Sequence, residues 1–231
     1  MQEMNDSRAD AAADASPETT PLAMVRQHSL TALVRDEIER RIAAGQLAPG
    51  DKLNEADWAA RLAVSRGPVR EAFRALEQAG LVRNEKHRGV FVRSVGVTEA
   101  QELAEVCAAL REAACRMLAA RIDAAQVAQL RDQLNAMRDA VVAENGEAFV
   151  SARDAFRTVL VEAAGNARLR EAYERAVREL RLSPRCALPL HRAMDASYAG
   201  HRTLLNALAS RDADESARRM RLSCGDDAQQ E

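Results

Sequence analysis

Leu62-Ala63-Val64-Ser65-Arg66-Gly67-Pro68-Val69-Arg70-Glu71-Ala72-Phe73-Arg74 is the stretch on which the fold turns. Ala63-Val64-Ser65 is too short for anything but a tight turn, and Ser65 is a good N-cap for the helix that follows. Pro68 falls in the first helical turn, where backbone N–H groups have no intrahelical partner and its missing donor costs nothing. Val69, Phe73 and Leu76 then share one helix face, while Arg66, Arg70 and Arg74 line another. The spacing predicts a basic amphipathic helix running to about Ala79.

Upstream, Leu30, Leu33, Val34, Ile38 and Ile42 recur at helical spacing, and Gly45 ends that helix. Pro49-Gly50 marks a turn, Lys52-Leu53 leads out of it, and Asn54 caps a short helix to about Leu62. Downstream of Gly80, Leu81-Val82-Arg83 and Val90-Phe91-Val92 read as two strands around a polar tip from Asn84 to Gly89. The order helix, turn, helix, tight turn, basic helix, hairpin is that of a winged helix-turn-helix, a domain that lays one helix in the major groove of DNA.

Charge is distributed as this reading requires. Formal net charge is −2, yet residues 26–95 hold 13 basic against 9 acidic side chains. Residues 1–25 carry one Arg and five acids, and residues 96–231 carry 19 basic and 21 acidic groups. The basic excess therefore sits on the segment with the helix-turn-helix pattern. Within it, Arg66 and Arg70 suit guanine edges, Ser65 and Gly67 suit a close phosphate, Lys52 and Asn54 add backbone contacts, and Arg88 with Gly89 forms the wing tip. Taken alone, three arginines spaced four apart read more readily as an ordinary solvated face; the order of elements around them decides for DNA.

The rest of the chain is read as helical. Hydrophobic residues make up 47% and aromatics only 3%, with Ala, Leu, Arg and Glu dominant. Residues 1–27 form a polar tail expected to be disordered, residues 28–95 the DNA reader, residues 96–225 a helical domain, and residues 226–231 a short tail. Helices are expected at about 98–121, 123–144, 147–164, 166–182, 187–210 and 212–223, broken at Asn145-Gly146, Gly165-Asn166, Ser183-Pro184 and Arg211-Asp212. The fold class is mostly α: a winged helix-turn-helix followed by an all-helical bundle of about six helices. No stretch of eighteen apolar residues or signal-peptide pattern occurs, so no membrane partner and a cytoplasmic location are expected. Four scattered cysteines (Cys107, Cys115, Cys186, Cys224) form no CxxC pair and are read as mostly buried thiols. The sequence shows no nucleophile-base pair, carboxylate dyad or phosphate-binding glycine loop, which argues against an enzyme.

The reader resembles the GntR-type regulators, through Ile42, Gly45, Leu47, Pro49, Gly50, Leu53, Glu55, Ala59, Leu62, Val64 and Ser65-Arg66 in its first half. Pro68, Val69-Arg70-Glu71-Ala72, Leu76-Glu77, Gly80-Leu81-Val82, Arg88-Gly89 and Phe91-Val92 continue the match. The resemblance places DNA contacts on Ser65, Arg66, Gly67, Arg70 and Gly89. Trp58 stands where the family usually has Leu, a change of packing rather than of DNA reading. The helical domain resembles the FadR/FCD branch, and six helices resemble its VanR-like subgroup, through Phe156 with Leu160-Val161-Glu162-Ala163-Ala164-Gly165-Asn166 and the run Gly200-His201-Arg202-Thr203-Leu204-Leu205.

Many members of that branch bind a divalent metal through an Asp and three His. The corresponding positions here hold Arg153, Arg157, His201 and Ser223, so neither metal nor other cofactor is expected. Asp154 is about 100° around the helix from the missing Asp. Arg153 and Arg157 lie four apart, and on the family's cavity-facing side they would hold a carboxylate or phosphate effector directly, with His201 as a further hydrogen-bonding group. The alternative is that the helix turns both arginines to solvent. As a lone His, His201 reads more readily as a capping or packing residue. The family's effector-binding Arg on the first helix of this domain corresponds to Cys107. Tyr173, Tyr198, Met117 and Met194 are further candidates for the cavity wall. The resemblance implies a homodimeric, ligand-responsive transcription regulator, a repressor released from a near-palindromic operator, with double-stranded DNA as partner. The alternative is a constitutive DNA binder whose cavity no longer takes metal or effector.

Overall fold

The computed structural model describes residues 21–183 and 194–228, with side chains over 29–183 and 194–223. Helix α1 (Pro21–Ala43) leads into strand β1 (Lys52–Leu53), α2 (Glu55–Arg61), α3 (Arg66–Gln78), β2 (Val82–Glu85) and β3 (Gly89–Val92). Six helices follow: α4 (Val97–Ala119), α5 (Ala124–Val142), α6 (Gly146–Ala163), α7 (Ala167–Leu180), α8 (Met194–Ala209) and α9 (Ala213–Ala228).

Two differences from the expected organisation arise near the N-terminus. Helix α1 begins at Pro21, so residues 21–27 are helical rather than a tail. Pro21 at the first helical position brings a preset φ and lacks only a donor that would be orphaned there, and Leu22, Met24 and Val25 break the polar composition. Lys52-Leu53 is a strand, so the wing is a three-stranded antiparallel sheet in the order β1-β3-β2, not a bare hairpin. Lys52 pairs with Phe91 and Leu53 with Val90. The Pro49-Gly50 turn enforces this: Asp51 N donates to Ala48 O at 3.0 Å, with Gly50 at φ +93°, as a type II turn demands. At the other end, residues 226–228 of the expected tail belong to α9. Cys186, Cys224, the predicted helix start at 187 and the remaining tail lie outside the residues whose side chains are described.

The bundle's breaks are helix caps. Asp123 and Gln126 form a reciprocal capping box at the start of α5. Asn145 accepts from Ala148 N at 3.0 Å, and Asn166 accepts from the N–H groups of Arg168 and Leu169, both at 3.1 Å. Asp212 accepts from Glu215 N at 2.9 Å. Leu118, Leu130, Met137, Phe149, Phe156, Leu160, Leu204, Leu208 and Met220 fill the bundle core. The reader has its own core of Val34, Ile38, Val69, Phe73, Leu76, Val82 and Val92, and Leu182, just beyond α7, is fully buried in it.

Candidate DNA-reading surface and buried arginine cluster

Helix α3 buries Pro68, Val69, Ala72, Phe73 and Leu76 and leaves Arg66, Arg70 and Arg74 exposed, which is the face a groove-reading helix must offer. The turn before it is tight because Ala63 takes φ +53° and Val64 N closes back on Ala59 O at 3.0 Å. Ser65 is the exposed N-cap in extended conformation, and its side chain makes no capping hydrogen bond. Asn54 is committed locally: its side chain accepts from Ala56 N at 2.8 Å.

Arg70 makes a two-pronged contact with Glu55 of α2, at 3.0 and 3.1 Å. The guanidinium holds the Glu55 carboxyl below its usual range, so the pair is charged at neutral pH. Glu55 thereby aims Arg70, although the pair is largely exposed and adds little stability. Arg74 pairs with Glu71 within α3 at 2.8 Å.

In the wing, Lys86-His87-Arg88 is a three-residue loop between paired Glu85 and Gly89. His87 at φ +65° and Gly89 at φ +106° carry the turn, and a Cβ on Gly89 would press on Lys52 Cε at 3.3 Å. Arg88 and Lys52 each lie over the Phe91 ring, at 5.5 and 5.8 Å from its centroid. The structure therefore brings Lys52, Arg88 and Gly89 together at one edge of the sheet, and Ser65, Arg66, Gly67 and Arg70 at the start of α3. Trp58 packs into the reader between the guanidiniums of Arg41 and Arg61, each 5.7 Å from its ring.

In the bundle, Arg153 and Arg157 belong to the buried face of α6, at 9% and 7% exposure, so the solvent-facing alternative is not what the chain adopts. Asp154, at the edge of this face, lies 3.5 Å from Arg153 and 4.0 Å from Arg157, and 3.9 Å from Arg181 after α7. His201 is fully buried in the middle of α8 rather than at a helix start. Its Nδ1 donates to Ser197 O at 2.7 Å, and the ring meets the edge of Phe156 at 5.1 Å between centroids.

Reading from sequence missed Arg111. Cys107 is buried at the position expected for an effector-binding Arg, and Arg111, one turn on, is buried on the same side at 7% exposure. Its Nε donates to Cys107 O at 3.2 Å. Tyr173 of α7 is buried beside this group: burial raises its phenol pKa, and Arg111 and Arg157 oppose that rise. Arg111 was detectable as the i+4 neighbour of Cys107, but only burial distinguishes it from the many surface arginines. Met117 is 39% exposed on the outer side of α4 and is no cavity wall.

The donor set does not fit a divalent ion. Arg153 and Arg157 bring cations where acidic or imidazole ligands would be needed, and Ser223 uses its hydroxyl on Met220 O at 2.9 Å. Among the described residues no cluster of three His, Cys, Asp or Glu side chains has metal-binding geometry. Protein purified without chelator should carry no stoichiometric zinc, nickel or manganese by elemental analysis; a stoichiometric ion would place the ligands elsewhere.

Comparison with known proteins agrees with both halves. The family of bacterial regulatory proteins called gntR matches residues 30–92, and the FCD domain matches residues 102–223. The chain is 34% identical over 184 residues to a probable D-xylose utilization operon transcriptional repressor of Paenarthrobacter nicotinovorans, covering 78% of each. It is 31% identical over 127 residues to the HTH-type transcriptional repressor RspR of Escherichia coli K12, or 55% of this chain and 56% of that protein. Its fold superposes on E. coli McbR/YncC with a TM-score of 0.70 at 20% identity, covering 86% of this chain and 95% of the other. A GntR protein of Rhodococcus sp. RHA1 gives 0.68 at 25% identity, covering 88% and 95%. Among the described residues, no helix is long and apolar enough to cross a membrane.

Proposed function

Because the chain belongs to the gntR family of bacterial regulatory proteins, with an FCD domain behind its DNA reader, we propose that it is a homodimeric repressor. In this reading a small carboxylate or phosphate compound releases it from a near-palindromic operator in the cytoplasm. The protein is a DNA-binding transcription regulator and not an enzyme; what is proposed is its ligand response and its manner of binding. The observation that carries the proposal is the buried arginine cluster. Guanidiniums suit carboxylate and phosphate groups, and Arg111 of α4 and Arg153 and Arg157 of α6 are all buried, Arg111 and Arg157 beside Tyr173.

Support for a dimer lies on the outer side of α4. Val106 and Met117 are large apolar side chains left 49% and 39% exposed there, while Leu103, Leu110 and Ala113, which complete a spacing of alternating threes and fours, are partly buried against the bundle's own core. Two readers on such a dimer engage two half-sites, and an effector that prefers another spacing of the readers draws the population off DNA. Arg66 and Arg70 read base edges, Ser65, Gly67, Lys52 and Asn54 contact the phosphate backbone, and Arg88 and Gly89 follow it at the wing.

The test is release from an operator selected out of random duplexes. A panel of dicarboxylates, citrate and sugar phosphates is screened for loss of binding. With any compound active on the wild type, the Arg153→Ala/Arg157→Ala double variant should need at least about a hundredfold more compound for release. Its circular dichroism and unfolding midpoint are measured alongside. Undiminished release from a folded double variant would remove the anion site. A protein that no compound in the panel releases would favour the constitutive binder.

A further inference from the structure

The last turn of α7 leaves the helical bundle and enters the reader. Leu182, two residues past its end, is fully buried in the reader core, and Val95 N donates to Leu182 O at 3.3 Å. One turn earlier, Glu179 accepts from Arg93 at 2.7 Å, and its side chain is only 14% exposed. Arg93 follows the wing strand β3. Its second nitrogen binds Glu99 at the start of α4, and its first also donates to Gly80 O at 3.1 Å. Arg175 closes the group, donating to Glu179 at 3.1 Å.

Gly80 is where this joint meets the DNA-reading helix, since it directly follows the C-cap of α3 and begins the turn into the wing. A Cβ on Gly80 would lie 3.1 Å from both Arg93 Nη1 and Glu179 Cδ, and its φ of +75° disfavours any other residue. The ion pair is thus seated directly on the backbone that ends the recognition helix.

The middle of α7 lies beside the arginine cluster. Tyr173 lies beside Arg111 and Arg157, six residues before Glu179, or about 9 Å along a helix. Beyond the helix end, Arg181 reaches Asp154, the carboxylate that also faces Arg153 and Arg157. A helix of this length moves as a unit, so a shift at Tyr173 or a change in what Asp154 faces is delivered to Glu179 and Leu182.

We propose that α7 carries the state of the arginine cluster to the DNA reader, with the Arg93–Glu179 pair on Gly80 and the Leu182 plug as its joint. Arg93 and Glu179 are then positioning residues for α3 that touch neither DNA nor effector. The proposal rests on the effector-site reading for its signal, but the joint itself is testable without one.

The chain's single tryptophan, Trp58, lies in the reader core, whereas most of the helix lies in the bundle. Guanidinium unfolding of the full chain is followed by Trp58 fluorescence and by far-ultraviolet circular dichroism. In the wild type the two traces should coincide. In Glu179→Gln, a near-isosteric change, and independently in Leu182→Ala, the fluorescence midpoint should fall about 0.5 M below the other. Coincident traces in both variants, or separate traces in the wild type, overturn the joint. A second measurement takes the compound that releases wild-type protein from DNA. Glu179→Gln should bind it with unchanged affinity by calorimetry yet need at least about tenfold more for release. Unchanged release overturns the transmission role. If no compound binds the wild type, the effector reading fails, the proposed signalling through α7 falls with it, and the unfolding traces alone decide whether the mechanical joint exists.

Discussion

Arg66→Ala and Arg70→Ala should each weaken operator binding by about 1–3 kcal/mol, roughly 5- to 150-fold, and relax the choice of base at the contacted position. Both residues stand exposed in the first two turns of α3, the part of a recognition helix that reaches base edges. Arg70→Ala has a second consequence, because Glu55 loses its partner and presents an uncompensated carboxylate toward the phosphates. Adding Glu55→Gln to Arg70→Ala should therefore recover part of the lost affinity without recovering base selectivity. Arg74→Ala, one turn beyond Arg70 and tied to Glu71, should lower affinity less and leave selectivity alone. Titration of wild type and variants against the selected operator and its single-base variants separates these outcomes. Retained selectivity in both Arg66→Ala and Arg70→Ala would mean that α3 does not read the bases.

Phe156→Ala should cost the helical bundle about 3–5 kcal/mol, a large share of the 5–15 kcal/mol typical of a whole domain. Phe156 is fully buried on α6, between Arg153 and Arg157 in sequence, with its ring against His201 of α8. Removing it leaves a cavity that these helices cannot collapse without moving the two arginines. The equilibrium unfolding midpoint by circular dichroism measures the loss, and a cost below about 1 kcal/mol would contradict the full burial of Phe156 against His201. Phe156→Leu should lose less, since most of the volume remains.

Much of this molecule is legible in its sequence because much of it is set locally. Apolar residues three and four apart foretell the helices, and Asp123, Asn145, Asn166 and Asp212 mark helix starts because a capping side chain needs only the N–H groups two or three residues ahead. The tight turn at Ala63, the basic face of α3 and the wing tip at Gly89 belong to the same class. Their conformations are dictated within a few residues.

Other features depend on partners far along the chain. Lys52-Leu53 is too short to announce a strand, and becomes one only by pairing with Phe91 and Val90. His201 acquires its place in mid-helix and in the core from Phe156 and Ser197. Arg111, Arg153 and Arg157 are ordinary members of an arginine-rich sequence, separated from surface arginines only by burial. Arg93 and Glu179 stand 86 residues apart, and nothing around either predicts that they close on Gly80. By itself, then, the sequence determined the helices, their caps and the DNA-reading face, through contacts that span one turn. Only the tertiary structure decided which charges are buried together and how the bundle is fastened to the reader, because desolvation and long-range pairing exist only once the chain has packed.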